Sequence, residues 1–379
     1  MALFLMNSGS YTGSGIAGQV ISTDFPGDAF GIVIPQLVII VNPDDVSNIT
    51  QHAWKWTSLT DSVIGFQSKV TTGITALSAG SFTVGAHAAV NTTGNVHRWV
   101  AFADVNELGD PAQDVLATGA YTGNGVDNTQ ITVPFAPDFV SVRRQINNAE
   151  DAWAHFLFTA AGGADDTICK TRPSDEAIQT DQIKTLNSTG FTVGTTGSVN
   201  LNGAAYTWLA LRRKTGFIGM GSYEGNAVDG RTITVGFQPS AVLLQGVGNI
   251  SGAVGPLFRC SPGYSGDECS YLSDSTNDNI GGGGIWADGI ESFVSTGFTV
   301  GDGVGLGGAA NGYGSFANAN GVAPREFYVY MALLSELLPA TAAIDLPGGG
   351  GIYMLPESPY TFYKSQVALS ERLRSLRLR

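Results

Sequence analysis

One phrase is written three times along this chain, and each copy is long enough to be a domain. The first copy has Gly9-Ser10-Tyr11-Thr12-Gly13, then Pro35-Gln36-Leu37-Val38-Ile39, then Phe82-Thr83-Val84-Gly85, and ends on Asn91, Trp99 and Ala101. The second has Gly119-Ala120-Tyr121-Thr122-Gly123, Pro137-Asp138-Phe139-Val140, Phe191-Thr192-Val193-Gly194, then Asn200, Trp208 and Ala210. The third has Gly221-Ser222-Tyr223-Glu224-Gly225, Pro239-Ser240-Ala241-Val242, Phe298-Thr299-Val300-Gly301, and closes near Tyr330 and Ala332. Repetition in a fixed register constrains the architecture before any single residue is weighed.

Phe82 to Trp99 and Phe191 to Trp208 both span 17 positions, and Phe82 to Asn91 and Phe191 to Asn200 both span 9. Tyr121 to Pro137 and Tyr223 to Pro239 both span 16, against 24 from Tyr11 to Pro35, so the first copy carries an insertion of 8. The third stretches Phe298 to Ala332 to 34 positions, against 19 from Phe191 to Ala210, an insertion of 15. Insertions confined to one gap are what surface loops tolerate. A unit of about 105 residues is domain-sized. Each is therefore read as a bead with its own core, at 1–112, 113–217 and 218–338, followed by a Gly-rich linker and a basic docking segment at 339–379.

The strand signals explain what such a bead is made of. Leu37-Val-Ile-Ile-Val41, Phe139-Val-Ser-Val142 and Ala241-Val-Leu-Leu244 are short apolar runs after a proline, which sits naturally at a strand's first residue. Arg98–Phe102, Tyr206–Leu211 and Phe327–Met331 close each unit with β-branched and aromatic residues. Asn91-Thr-Thr-Gly94 and Asn200-Leu-Asn-Gly203 read as hairpin turns. Before the tail no long stretch has a 3.6-residue period. The expected fold is all-β: three tandem antiparallel β-sandwiches of roughly six to eight strands each, plus a C-terminal tail with a short helix. In that tail Leu369, Leu373 and Leu376 share one helical face, with Arg372, Arg374 and Arg377 elsewhere.

Charge and cysteine usage narrow the function. Only 13% of residues are charged, 51 are Gly, and mean hydropathy is +0.10. Net charge is −13, and residues 364–379 carry five basic residues against Glu371, so the remainder is at −17. An acidic body repels nucleic acid, whereas the basic end suits an acidic partner surface. Cys169, Cys260 and Cys269 form no disulfide framework; Cys260 and Cys269 either pair or, the favoured reading, remain free thiols. Neither a signal peptide nor a membrane-spanning run is evident, so the expected product is soluble, made in the cytoplasm and not exported.

Chemistry-bearing patterns are sparse. His52, His87, His97 and His155 have no metal-protease spacing, and no cysteine pair is set out for zinc. The Gly13–Gly18 match to Gly-x-Gly-x-x-Gly is expected to lack both a preceding strand and a following helix. Asp44-Asp45, Glu150-Asp151 and Asp165-Asp166 read as solvated loop charges, and Asp274–Asn279 lacks the EF-hand order. No catalytic residue, metal or cofactor is expected. Trp99 and Trp208, on strands at a repeated position, read as core; Trp54, Trp56, Trp153 and Trp286, in variable segments, are better placed for ligand contact.

The Gly-x-Tyr-Thr-Gly-x-Gly opening (Gly119–Gly125), the Phe-x-Pro-x-x-Val strand (Phe135–Val142), Thr189–Gly194 and the Val199–Ala210 close together resemble a module of tailed-bacteriophage structural proteins. The first copy departs at the strand, where Ile34 replaces the counterpart of Phe135, and the third departs with Glu224 in place of Thr122. A fainter similarity is to H-type lectin domains, which implies a trimeric sugar-binding β-sandwich. The resemblance implies a non-enzymatic virion protein on the particle surface, in tail tip, fibre or spike or as head decoration. It would assemble three-fold, as a homotrimer or from three units of one chain, and dock on tail or capsid proteins through Leu369, Leu373, Leu376, Arg372, Arg374 and Arg377. The alternative is a carbohydrate-binding receptor-recognition protein meeting a host glycan through Trp286, Tyr264 and Tyr271. A surface-polysaccharide hydrolase ranks last.

Overall fold

The computed structural model describes residues 2–25, 33–43, 52–64, 68–106, 114–145, 154–158, 167–170, 178–226, 228–247, 257–261, 264, 266–272, 284–301 and 327–334. The first unit comprises β1 (Ala2–Thr12), β2 (Gln19–Ser22), β3 (Leu37–Val41), β4 (His52–Trp56), β5 (Ser62–Ile64), β6 (Ser68–Val70), β7 (Ile74–Ser78), β8 (Ser81–Val84), α1 (Ala88–Asn91) and β9 (Val96–Asn106). The second comprises β10 (Leu116–Thr122), β11 (Thr129–Thr132), β12 (Phe139–Arg144), β13 (Ala154–Phe158), β14 (Thr167–Lys170), β15 (Ile178–Gln179), β16 (Ile183–Asn187), β17 (Gly190–Val193), α2 (Gly197–Asn200) and β18 (Ala205–Leu211). The third comprises β19 (Ile218–Glu224), β20 (Arg231–Thr234), β21 (Ala241–Val247), β22 (Leu257–Cys260), β23 (Cys269–Tyr271), β24 (Gly284–Trp286), β25 (Ile290–Val294), β26 (Gly297–Val300) and β27 (Phe327–Leu333).

The all-β expectation holds, with nine strands per unit among the described residues rather than six to eight. Each unit has a six-stranded sheet in which the closing strand returns between the first and third, in the order β1-β9-β3-β4-β5-β6 and its counterparts β10-β18-β12-β13-β14-β15 and β19-β27-β21-β22-β23-β24. A three-stranded sheet, β2-β8-β7, β11-β17-β16 or β20-β26-β25, covers one face of it. A core of its own lies between the two layers of each unit: Leu5, Val38, Ile40, Phe82 and Trp99 in the first, Val140, Val142, Phe191 and Trp208 in the second, and Val242, Leu244, Phe298 and Tyr328 in the third.

The repeated spacings follow from this packing. Gly9 pairs directly with Trp99, Gly119 with Trp208 and Gly221 with Tyr330 across neighbouring strands. A Cβ on these glycines would stand 2.9 Å from the Trp99 ring, 2.5 Å from the Trp208 ring and 2.5 Å from the Tyr330 hydroxyl. The aromatic ring lies over the bare glycine. The same ring meets the repeated Phe edge-on, at centroid distances of 5.5 Å for Phe82–Trp99, 6.2 Å for Phe191–Trp208 and 5.4 Å for Phe298–Tyr330. Opening glycine, Phe-Thr-Val-Gly and closing aromatic are thus one contact read three times. In the first unit Phe25 is buried like Phe135 and Phe237, whereas Ile34 is 44% exposed. The insertion therefore follows Phe25 and leaves the counterpart of Phe135 in place, which corrects the expectation for Ile34.

The units are not separate beads. A fourth apolar cluster joins all three, with Phe4, Ile39, Trp56 and Phe102 from the first, Leu116, Phe139, Leu209 and Leu211 from the second, and Met220, Leu243, Cys260 and Met331 from the third. It lies on the face of each six-stranded sheet opposite its own outer layer, so these sheets are buried on both sides. The polar contacts across the seams repeat in cyclic order. Trp56 Nε1 of the first unit donates to Thr207 Oγ1 of the second at 3.0 Å, and Thr57 Oγ1 shares a hydrogen bond with Thr118 Oγ1 at 2.6 Å. The same strand end of the third unit reaches the same strands of the first. Ser8 Oγ donates to the Ser261 carbonyl, and the Arg98 guanidinium lies 4.2 Å from the Tyr264 ring centroid. Ser8 and Thr118 each directly precede the glycine paired with the closing Trp, and Arg98 and Thr207 each precede that Trp. The first unit thus contacts the second and the third contacts the first, so the chain closes head to tail about a pseudo-three-fold axis.

This shared core predicts coupled unfolding. Trp56→Ala removes a side chain 2% exposed and its bond to Thr207, and is expected to cost about 3–5 kcal/mol. Denaturant unfolding followed by calorimetry should show the first two units losing stability together. Two separated transitions, with only the first displaced, would contradict a load shared across the seam.

Candidate functional site

Three places on this frame carry enough side-chain specificity to be considered. The first is the loop between the first two strands of each unit. Asn91 and Asn200 do not form hairpin turns as expected: each ends a one-turn helix, α1 or α2, and is buried. Asn91 Oδ1 accepts the Ser14 and Gly15 amides at 2.7 and 3.1 Å, and its Nδ2 donates to the carbonyls of Ile16 and Gly85, both at 2.8 Å. Asn200 accepts the Asn124 amide at 2.9 Å and donates to Val126 and Gly194, both at 2.8 Å. The shortest hydrogen bonds of both amides go to backbone, which fixes the loop without a regular ladder. The Gly13–Gly18 string is this loop. A strand does precede it, contrary to expectation, but a strand rather than a helix follows it, so no helix terminus aims amides at a phosphate. At its tip an apolar side chain stands in solvent: Ile16 is 73% exposed, Val126 60% and Val228 52%.

The second place is a β-bulge that recurs in the outer sheet of each unit. The register slips between Ile74 and Ala76, between Ile183 and Thr185, and between Ile290 and Ser292. The extra residue, re-aimed by the bulge, is Thr75, Lys184 or Glu291. Lys184 Nζ sits 3.0 Å from Asp127 and 3.9 Å from Asp181, a cation between two carboxylates. In the third unit the lysine's place holds Glu291, and its carboxylate oxygens lie within 4.8 Å of those of Asp229 and Asp288. Burial, then the hydrogen bond and charge of Asp229, push the Glu291 carboxyl up to about 7. Three carboxylates offer oxygen ligands of the kind Ca²⁺ takes, though an exposed acidic cluster does not by itself define a metal site.

The third place is a cleft of about 610 Å³ in the third unit, walled by Gln238, Arg259, Tyr264, Phe293 and Leu334. Arg259 is 8% exposed, and its guanidinium donates to the backbone carbonyls of Glu268, Ile290 and Gly266. Its counterpart Lys55 in the first unit, 6% exposed, donates to the carbonyls of Leu59 and Thr60 at 3.2 and 3.1 Å. Both buried cations tie down the segment after the fourth strand of their unit. Tyr264 is half-buried, and its hydroxyl shares a 2.5 Å hydrogen bond with Ser270.

Of the residues singled out in the sequence, Tyr264 lines this cleft. Tyr271 pairs in the ladder with Leu257 and Gly284, and Trp286 with Cys269. Leu369, Leu373, Leu376, Arg372, Arg374 and Arg377 lie outside the described residues, as do Trp153, Asp44-Asp45, Glu150-Asp151, Asp165-Asp166 and Asp274–Asn279. Trp54 and Trp56 are not ligand contacts on a variable surface: they are 4% and 2% exposed and belong to the shared core. Cys260 and Cys269 are free, buried thiols, and burial pushes each up to about 12. His97 stacks on Tyr11 at 5.1 Å, His87 caps α1, and His52 accepts from Trp54 Nε1 at 2.9 Å. Burial lowers the His52 imidazole to about 3. Sequence reasoning missed Lys55, Arg143 and Arg259. Arg143 is 1% exposed on β12, on the same strand face as Phe139 of the shared core, and burial lowers its guanidinium to about 9. Nothing local distinguishes a strand cation that will be buried from one that will be solvated.

A protein family described only as a domain of unknown function (DUF7483) matches residues 111–212, which coincide with the second unit. No curated protein sequence matches the chain.

The bulge supplies a pH test. Because the folded-state value of Glu291 is raised, its contribution favours folding below the ordinary carboxylate value of 4.5 and is lost as pH rises toward about 7. Glu291→Lys copies the second unit. It should remove this part of the pH dependence and gain about 0.2–1 kcal/mol at neutral pH, the usual worth of an exposed ion pair. Melting temperatures of both proteins from pH 4 to 8 would show it. A difference that does not grow between pH 4.5 and 7 would remove the assignment.

Proposed function

We propose that this protein is a non-enzymatic structural component on the surface of a tailed-bacteriophage particle, acting by shape. The observation that carries this reading is the destination of the repeated residues. Gly9, Gly119 and Gly221 clear room for an aromatic ring, Asn91 and Asn200 hold loops, and the inner sheets bury one another. None of these is an arrangement that moves a proton, activates a nucleophile or holds a substrate. Residues that recur only to close three lobes around an axis suit a protein whose work is to fill a place in an assembly. The sequence resemblance to phage structural modules points the same way. One chain supplies the three lobes that a homotrimer of one-unit chains would supply. In this reading the basic segment at 364–379 docks the body, at −17 without it, onto an acidic surface of tail or capsid proteins.

Mass spectrometry of purified particles tests this. The chain should be present at a fixed ratio to the major particle proteins, and removal of residues 339–379 should lower that ratio while leaving the purified three-lobed body folded. Absence of the full chain from particles would end the reading.

One observation favours a second reading, that the protein recognises a host carbohydrate. Tyr264 and Phe293 line the cleft together with Gln238 and Ser240, a mixture of ring faces and short polar groups that suits sugars. Binding on a glycan array, lost on Phe293→Ala in a protein of unchanged melting temperature, is the expected result. An array without signal would leave the cleft as a gap between layers.

A further inference from the structure

We propose that the tips Ile16, Val126 and Val228 form a docking ring for a three-fold-symmetric protein assembly whose contact surface offers apolar recesses bordered by basic side chains. The inference rests on the virion reading above and adds to it the surface used and the symmetry of the partner.

The three tips are equivalent residues. Each stands five positions after the opening tyrosine (Tyr11, Tyr121, Tyr223) and three before the second strand of its unit. A three-fold rotation puts equivalent residues on one circle at equal height along its axis, so the pseudo-symmetric closure of the lobes sets the tips in a single ring around the body. Positions beside them have diverged. Ala17, Asp127 and Asp229 follow the tips, and Gln19, Thr129 and Arg231 open the next strand. The tip itself remains β-branched and apolar in all three copies.

Backbone preference does not account for that. The tip amides accept local turns, with Ile16 N donating to Ser14 Oγ, Val126 N to Asn124 Oδ1 and Val228 N to Asn226 Oδ1. Any residue serves in such a turn, and threonine has the same branching and a polar surface. Single exposed apolar residues are ordinary, but the same exposed one in three diverged copies asks for a common contact. The first two loops are also held rigid, because the tip carbonyls of Ile16 and Val126 are the acceptors of the buried Asn91 and Asn200 amides. A pre-ordered apolar knob loses little entropy on binding.

Charge selects the chemistry of the partner's border. Asp127 and Asp229, both exposed, flank two of the tips; Lys184 pairs with Asp127 but also faces Asp181, which leaves that cluster net acidic, and Asp288 and Glu291 stand beside the third unit's tip. A second copy of the chain would bring the same carboxylates against these, so self-contact is disfavoured and basic residues are complementary. Three equal knobs are seated together only by three equal recesses, which a three-fold partner presents.

The test uses particles made with Ile16→Thr, Val126→Thr and Val228→Thr together, with Ile34→Thr as a control at an exposed apolar site off the ring. Threonine keeps the β-branching at all of these sites and the volume at the two valines, and unchanged melting temperature of the purified variant confirms folding. If the triple variant melts lower, Val126→Thr and Val228→Thr are read singly, each with a several-fold loss expected. Copies per particle, by mass spectrometry, should fall about tenfold or more for the triple variant, equivalent to about 1.4 kcal/mol or more, and stay level for Ile34→Thr. Full retention of the folded triple variant overturns the ring while leaving the virion reading standing. Absence of the wild-type chain overturns both. Sedimentation showing wild-type self-association abolished in the triple variant would assign the ring to a second copy, and particle density placing the chain off any three-fold axis would also overturn the proposal.

Discussion

Burial of both faces of the six-stranded sheets is the constraint from which the rest of this structure follows. A sheet in a two-layer sandwich needs one apolar face; these need two. The outward face is covered by the unit's own three-stranded sheet. The inward face has no partner within the unit, and three such faces cover one another in the shared cluster. A lone unit would leave Phe4, Ile39, Trp56 and Phe102, or their counterparts, in water. At roughly 25 cal/mol per Å² of apolar surface, exposing several large side chains costs more than a marginal domain's net stability. The three lobes therefore form one cooperative body.

The seams show how a repeated frame tolerates divergence. Trp56 fills the first seam and donates to Thr207. At the equivalent place in the third unit stands Cys260, much smaller, with Tyr264 against Arg98 nearby. Arg98 and Thr207 occupy matching positions, so a hydrogen bond in one seam is replaced by a stacked cation and ring in the other. The bulge varies in the same manner: Thr75 is neutral, Lys184 bridges two carboxylates, and Glu291 adds a third carboxylate to Asp229 and Asp288. Geometry is kept while chemistry drifts, as expected where selection acts on shape.

Part of this was legible in the chain. Strand content, unit register and the buried role of Trp99 and Trp208 follow from the repeated spacings and strand propensities. The shared core was also written there, in Leu37–Val41, five consecutive apolar residues that are all buried. A strand with one wet face alternates, as β2 does with its buried Ile21 between exposed neighbours; an unbroken run signals cover on both sides. That signal contradicts independent beads, and it also removes Trp54 and Trp56 from any variable binding surface. Lys55, Arg143 and Arg259 were not legible, since the carbonyls that receive Lys55 and Arg259 belong to segments whose path is set elsewhere, the Ile290 strand among them.

The sequence by itself determined the β character, the three-fold repetition and the residues that recur, because periodicity and turn chemistry are local properties. Only the tertiary structure decided that the repeats close on one another, that Ile16, Val126 and Val228 stand in solvent, and that Asp229, Asp288 and Glu291 converge. These depend on which faces meet across the chain. A pairing between residues over a hundred positions apart, such as Trp56 with Thr207, leaves no mark in the spacing of either.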